Sequence, residues 1–159
     1  EINIDNIIDP SPYKELTKCR IIYNKEIVSI EYIPYQVRPV SSLRLVKDNT
    51  IEYSWKTTNR ETINRLFASR QKYDDILIVK NDLITDTSIC NVAFSDGNRW
   101  KTPEKPLLKG TQREYLLRRG TIQEARISTD DISKYKHISL FNAMIGFGEI
   151  ILPITSINI

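Results

Sequence analysis

Apolar residues along this chain recur mostly in short β-branched runs separated by turn residues, with helical spacing around Ile63 and again around Leu116. Residues 18 to 33, KCRIIYNKEIVSIEYI, hold two such runs around Asn24-Lys25, which predicts a hairpin. In the following PYQVRPVSS, Pro34 and Pro39 each fix φ and remove a donor, so an extended linker is expected. SLRLV alternates like a half-buried strand, and a turn at Asp48-Asn49 leads into IEYSW. Lys56 then falls at the junction of a strand and a helix. That helix is predicted from Glu61 to Arg70, where Ile63, Leu66 and Phe67 share one face, and Asn59 is a suitable N-cap.

The second half repeats hairpin signals. ILIVK, then Asn81-Asp82, then LIT predicts strand, tight turn, strand. NVAF and RWKT flank Asp96-Gly97, the strongest hairpin signal present. Gly110-Thr111 opens a helix, QREYLLRR, with a stop at Gly120. A strand (TIQEARI), a helical turn led by Thr129-Asp130-Asp131, a strand (HISLFNAMI) and a strand-like run (EIILPITSI) complete the chain. Strands outnumber helices, so the fold class is α+β, mixed α/β with a largely antiparallel or mixed sheet.

Composition narrows the functions open to such a chain. The 159 residues, 40% hydrophobic and 27% charged, are globular rather than disordered. A net charge of +3, with Arg118-Arg119 the one tight arginine pair, argues against a nucleic-acid partner and suits anionic small molecules. His137 is the single histidine, which excludes a zinc site and leaves no Ser-His-Asp or Cys-His arrangement unless it serves alone. Cys19 and Cys90 are too few for a disulfide scaffold, so a reducing, cytoplasmic setting is expected. No apolar run approaches the roughly 20 residues of a membrane helix, so no membrane partner is expected.

Three segments could carry chemistry. Lys56 could form an imine with an aldehyde if its surroundings lowered its pKa, although a lone lysine at a strand end is usually solvated. Asp86, in ITDTSICNVAF, could hold a protonated ring nitrogen, or could simply cap local amides in a turn. KTPEKPLLKGTQRE ends in a helix start at Gly110, where unpaired N–H groups and the helix dipole form a phosphate seat or an ordinary helix terminus. Each segment alone favours its structural explanation.

In this order, however, the segments resemble the class IV aminotransferase family, the fold type IV enzymes that use pyridoxal 5'-phosphate (PLP). The resemblance runs from about Cys19 to the C-terminus and is carried by Asp86, Ser88, Asn91, Phe94, Thr102-Pro103, Leu107-Leu108, Gly110 and Arg113. It implies a D-amino-acid aminotransferase-like fold, with residues 1–39 a remnant of the small N-terminal domain plus linker and 40–159 the larger PLP-binding domain. It implies that Lys56, in Lys-x-x-Asn-Arg, is the Schiff-base lysine and proton shuttle, and that Arg60 lies near the phenolic oxygen. Asp86 takes the place of the carboxylate, usually Glu, that pairs with the pyridine nitrogen. Gly110, Thr111 and Gln112 resemble the phosphate loop, and Asn142-Ala143 the second loop on the phosphate side.

The Lys-x-x-Asn-Arg and Asn-Ala-Met segments resemble aminodeoxychorismate lyase more than the aminotransferases. The implied reaction releases pyruvate and p-aminobenzoate, a folate precursor, from an amino substrate. The alternatives are an aminotransferase acting on branched-chain or D-amino acids, and a non-catalytic relative of the same fold. The family also implies a homodimer. Its His-x-x-x-Arg-like segment has no counterpart before Cys19. Upstream sequence outside these 159 residues, a fragment and a degenerate homologue would each account for that, and the coherent site motifs favour the first.

Overall fold

The computed structural model describes residues 7–158, which fall into two compact units, Glu1–Arg38 and Pro39–Ile159. In the first unit, β1 (Thr17–Tyr23) and β2 (Ile27–Pro34) pair antiparallel from Thr17 opposite Pro34, with a register shift at Ile22/Tyr23. The turn closes through Asn24, whose Oδ1 accepts from Glu26 N at 3.0 Å. Tyr13 stacks on Tyr32, ring centres 4.5 Å apart. The hairpin expected from residues 18 to 33 is present.

The second unit contains two sheets. One has the order β11-β3-β4-β5, from β3 (Leu43–Lys47), β4 (Asp75–Lys80), β5 (Leu83–Thr87) and β11 (Ile157–Asn158). β3 runs parallel to β4, a pairing that needs a crossover, and α1 (Glu61–Ala68) supplies it. Ile63 and Leu66 of α1 pack into a core with Ile51, Ile76, Ile78 and Leu107. Asn81 and Asp82 both adopt positive φ, the conformation a tight two-residue hairpin turn demands between β4 and β5.

The other sheet has the order β10-β9-β6-β7-β8, from β6 (Asn91–Ser95), β7 (Trp100–Pro103), β8 (Gln123–Ala125), β9 (His137–Phe141) and β10 (Ile150–Pro153). α2 (Thr111–Arg118) crosses between β7 and β8, which are parallel, and buries Arg113 and Leu116. Ala93, Leu116, Ile122 and Phe141 form the core here, with Phe147 edge-on to Phe141 and Trp100. Among the described residues no helix is long and apolar enough to cross a membrane.

The class is α+β, as the strand-rich pattern implied. Two local expectations are corrected. Residues 51–55, IEYSW, form no strand: Ile51 is buried in the core and Tyr53 packs against it, but Trp55 is 80% exposed and no described strand pairs with this segment. The N-cap of α1 is Arg60 rather than Asn59. Asn59 acts one residue earlier, its Oδ1 accepting from Glu61 N at 3.1 Å.

Candidate active site

The chain passes from the first sheet to the second through three residues, Ser88, Ile89 and Cys90, between β5 and β6. Thr87 folds this link back on itself: its N–H donates to the Cys90 carbonyl at 2.9 Å, and Cys90 N donates to Thr87 Oγ1 at 3.0 Å. Neither sheet ladder can satisfy the remaining backbone groups of the link, so side chains from elsewhere do so. Arg60 Nη2, at the start of α1, donates to the Ser88 carbonyl at 2.7 Å, while Nη1 donates to Tyr53 Oη at 3.1 Å. Asn142 approaches from the turn after β9 and donates from Nδ2 to the Ile89 carbonyl at 3.1 Å. Asn142 Oδ1 accepts from Met144 and Ile145 N–H, which shapes its own turn.

At the root of the link lies Asp86, 5% exposed. Its Oδ1 accepts from Asn91 Nδ2 at 2.8 Å and its Oδ2 from Leu108 N at 2.9 Å. Burial pushes its carboxyl up to about 6, against the opposing pull of the Leu108 N–H, the Asn91 amide, the Leu107 N–H and the Arg113 charge. Asn91 Nδ2 donates at 2.8 Å to the Leu108 carbonyl as well, so one amide grips both the carboxylate and the segment leading to Gly110. Gly110 is the N-cap of α2 and carries no side-chain cap. A Cβ there would run into Asn91 Oδ1, which is why this position has no side chain.

The expected site residues therefore separate into two groups. Arg60, Asp86, Gly110 and Asn142 are joined through the Ser88–Cys90 link or through Asn91. Thr111 and Gln112 form the first turn of α2, and exposed Ala143 follows Asn142. Lys56 stands apart: it is exposed on the irregular segment before α1, with no ion-pair partner among the described residues. A cleft of about 420 Å³ flanks that segment, lined by Tyr53, Trp55 and Arg60 among others.

Two residues of the sequence motif matter more than their place in it suggested. Asn91 is the hub just described. Arg113 is 2% exposed and donates from Nη2 to the Pro103 carbonyl at 2.8 Å and to Glu124 Oε1 at 2.7 Å, while its buried Nε has no partner. Nothing in residue spacing signals either fact, since both depend on contacts between distant segments. Cys90, buried beside Asp75 and Asp86, has its thiol pushed up to about 12 and is no nucleophile.

These donors fit PLP. The Gly110 turn is bare and leads into uncapped N–H groups suited to a phosphate. Asp86 is a buried carboxylate without a direct cationic partner among the described residues, and Lys56 is an uncommitted amine.

Residues 19–157 match the model of the amino-transferase class IV family. The chain belongs to the class IV aminotransferase family, whose members use PLP. An uncharacterized protein of Haemophilus influenzae is 46% identical over 138 residues, covering 86% of this chain and 73% of that protein. A "putative aminodeoxychorismate lyase" of Schizosaccharomyces pombe is 29% identical over 133 residues, covering 73% of this chain and 58% of the yeast protein. Among solved structures, a "putative 4-amino-4-deoxychorismate lyase" from Haemophilus somnus superposes with a TM-score of 0.78 at 38% identity, covering 82% of this chain and 67% of its own. The architecture is that of the fold type IV PLP enzymes.

Proposed function

We propose that this chain is the PLP-binding part of an aminodeoxychorismate lyase-like enzyme, with Pro39–Ile159 as the cofactor domain and Glu1–Arg38 belonging to the smaller domain and linker. The observation that carries this reading is the bond from Leu108 N to Asp86 Oδ2, 2.9 Å long. It ties a buried carboxylate to the turn that ends at the bare Gly110 position. A carboxylate for the ring nitrogen and a seat for the phosphate are thereby fixed to one another. The names of the yeast relative and of the H. somnus structure, with the Lys-x-x-Asn-Arg and Asn-Ala-Met segments, favour the lyase branch.

When bound, PLP supplies an electron sink for negative charge developing at the amine-bearing carbon of the substrate. In this reading Lys56 Nζ holds the cofactor at its aldehyde and moves the proton at that carbon. Asp86 would keep the pyridine nitrogen protonated, which its burial favours by penalising an unpaired carboxylate. The Gly110, Thr111 and Gln112 segment would take the phosphate, with Asn142-Ala143 as the second loop on the phosphate side. Arg60, held by Tyr53 and Ser88, has further N–H donors that would serve the phenolic oxygen. Loss of the enolpyruvyl group of 4-amino-4-deoxychorismate as pyruvate then leaves p-aminobenzoate.

The test is the absorbance spectrum of the purified protein with PLP, followed by addition of 4-amino-4-deoxychorismate. A yellow protein that releases fluorescent p-aminobenzoate and pyruvate, and loses both properties on Lys56→Ala, supports the reading. Conversion of the cofactor to its amine form by an amino acid, without p-aminobenzoate, assigns an aminotransferase instead. A protein that takes up no PLP overturns both.

A further inference from the structure

Asn91 makes three contacts through one side-chain amide. Nδ2 donates to Asp86 Oδ1 and to the Leu108 carbonyl, each at 2.8 Å, and Oδ1 occupies the space beside Gly110. Asp86 Oδ2 closes the ring by accepting from Leu108 N. Three residues, Asp86 of β5, Asn91 of β6 and Leu108 on the approach to α2, are thus locked into one cycle of hydrogen bonds. Asn91 is 7% exposed, and its own backbone is fixed in β6 opposite Phe141. Its side chain therefore has few alternatives, and the cycle can hold one spacing between Asp86 and Gly110.

We infer that Asn91 is a positioning residue for the cofactor: it fixes the distance and angle between the Asp86 carboxylate and the Gly110 turn, so that ring nitrogen and phosphate are met at once. This rests on the proposed PLP site. The inference also explains the glycine. The backbone of Gly110, φ −70° and ψ 148°, is open to any residue, and the Asn91 side chain is the one obstacle a Cβ would meet within 4 Å. Glycine is required at 110 because asparagine stands at 91.

A double-mutant cycle tests the point, using Asn91→Ala, Gly110→Ala and the pair together, with PLP affinity measured by absorbance titration and amide exchange of Leu108 measured without cofactor. Asn91→Ala should weaken PLP binding about tenfold or more, as loss of one buried, charge-linked donor would. It should also speed exchange at Leu108 while circular dichroism stays native. Gly110→Ala alone should weaken PLP binding comparably, but in the Asn91→Ala background it should add little. Equal costs of Gly110→Ala in both backgrounds, or unchanged Leu108 exchange in Asn91→Ala, would overturn the inference while leaving the PLP site standing. Should Asn91→Ala unfold, Asn91→Ser keeps a donor in less volume and is read by the same two measurements. A wild-type protein that takes up no PLP overturns the proposed function, and the role of Asn91 toward the cofactor falls with it.

Discussion

Arg60 Nη2 lies 2.7 Å from the carbonyl oxygen of Ser88, bonding the start of α1 to the link between the two sheets. Through this bond the segment carrying Lys56 is held against the segment carrying Asp86. The second arm, to Tyr53 Oη at 3.1 Å, pins the other side of the same irregular stretch.

Removing that pin should loosen residues 52–59 more than it destabilises the fold. Arg60→Ala is expected to cost about 1 kcal/mol, a charged hydrogen bond discounted for partial exposure. Limited proteolysis should show faster cleavage within 52–59, with PLP uptake weakened in parallel. Arg60→Lys should behave like Arg60→Ala, because an ammonium cannot span both acceptors in the planar fork that arginine uses. Recovery by lysine would count against the pin.

Asp86 gives the cofactor-free protein a distinctive pH response. Its folded-state carboxyl titrates near 6, against 3.8 for the unreacted side chain, so between those values the folded state holds more protons than the unfolded state. Stability from this group is therefore greatest below about pH 4 and is lost as pH rises through 6. The rise from 3.8 to about 6 corresponds to about 3 kcal/mol as an upper bound. Asp74 acts in the opposite sense in a lower window: the Ser41 and Ser42 hydroxyls and amides hold it at about 2, so its contribution fades only in acid below about pH 4. Thermal melts of the cofactor-free protein should show Tm falling between pH 4 and pH 7, and Asp86→Asn should flatten that slope. A slope unchanged by Asp86→Asn would refute the assignment.

Arg113 should be costly to truncate. Arg113→Ala deletes a buried guanidinium, strands the Pro103 carbonyl and leaves a cavity, for about 3 kcal/mol in urea unfolding. Arg113→Met should cost less, because it fills most of the volume and also removes an Nε that is buried without a partner. Both variants withdraw a positive charge that favours ionised Asp86, so the pH window above should move upward with them. An unshifted window would show that the two groups are not electrostatically linked.

Gly120 ends α2 at φ +67°, with its N–H bonded to the Leu117 carbonyl at 2.9 Å and nothing within 4 Å of a Cβ position. Its cost on substitution is therefore conformational alone. Gly120→Ala should lose about 1 kcal/mol and Gly120→Asn less, since asparagine tolerates the left-handed region. Equal losses in thermal unfolding would point to a contact rather than to backbone strain.

The elements legible in the sequence are those set by local chemistry. Asn81-Asp82 and Asp96-Gly97 mark turns: Asn81, Asp82 and Gly97 accept left-handed backbone, while Asp96 Oδ1 accepts from Asn98 N and Arg99 N, and Gly110 and Gly120 bracket α2. Parallel pairing of β3 with β4 and of β7 with β8 was less legible, because it depends on crossovers whose direction residue patterns do not encode. IEYSW read as strand on composition, yet no neighbouring strand accepts its backbone, and Lys80 Nζ bonds the Ile51 carbonyl at 2.7 Å instead. For the site, the order of Lys56, Asp86 and Gly110 was informative and their surroundings were not. The cycle through Asn91 closes across residues 17 positions apart in the chain, beyond any local periodicity.

The burial of Cys90 leaves the protein with a convenience for biophysics. Its thiol is held far from ionisation, whereas half-buried Cys19 sits on the β1–β2 hairpin. A maleimide dye at neutral pH should therefore mark the hairpin in the unmodified sequence. Fluorescence could then follow the first unit while cofactor absorbance follows the second, with no engineered cysteine required.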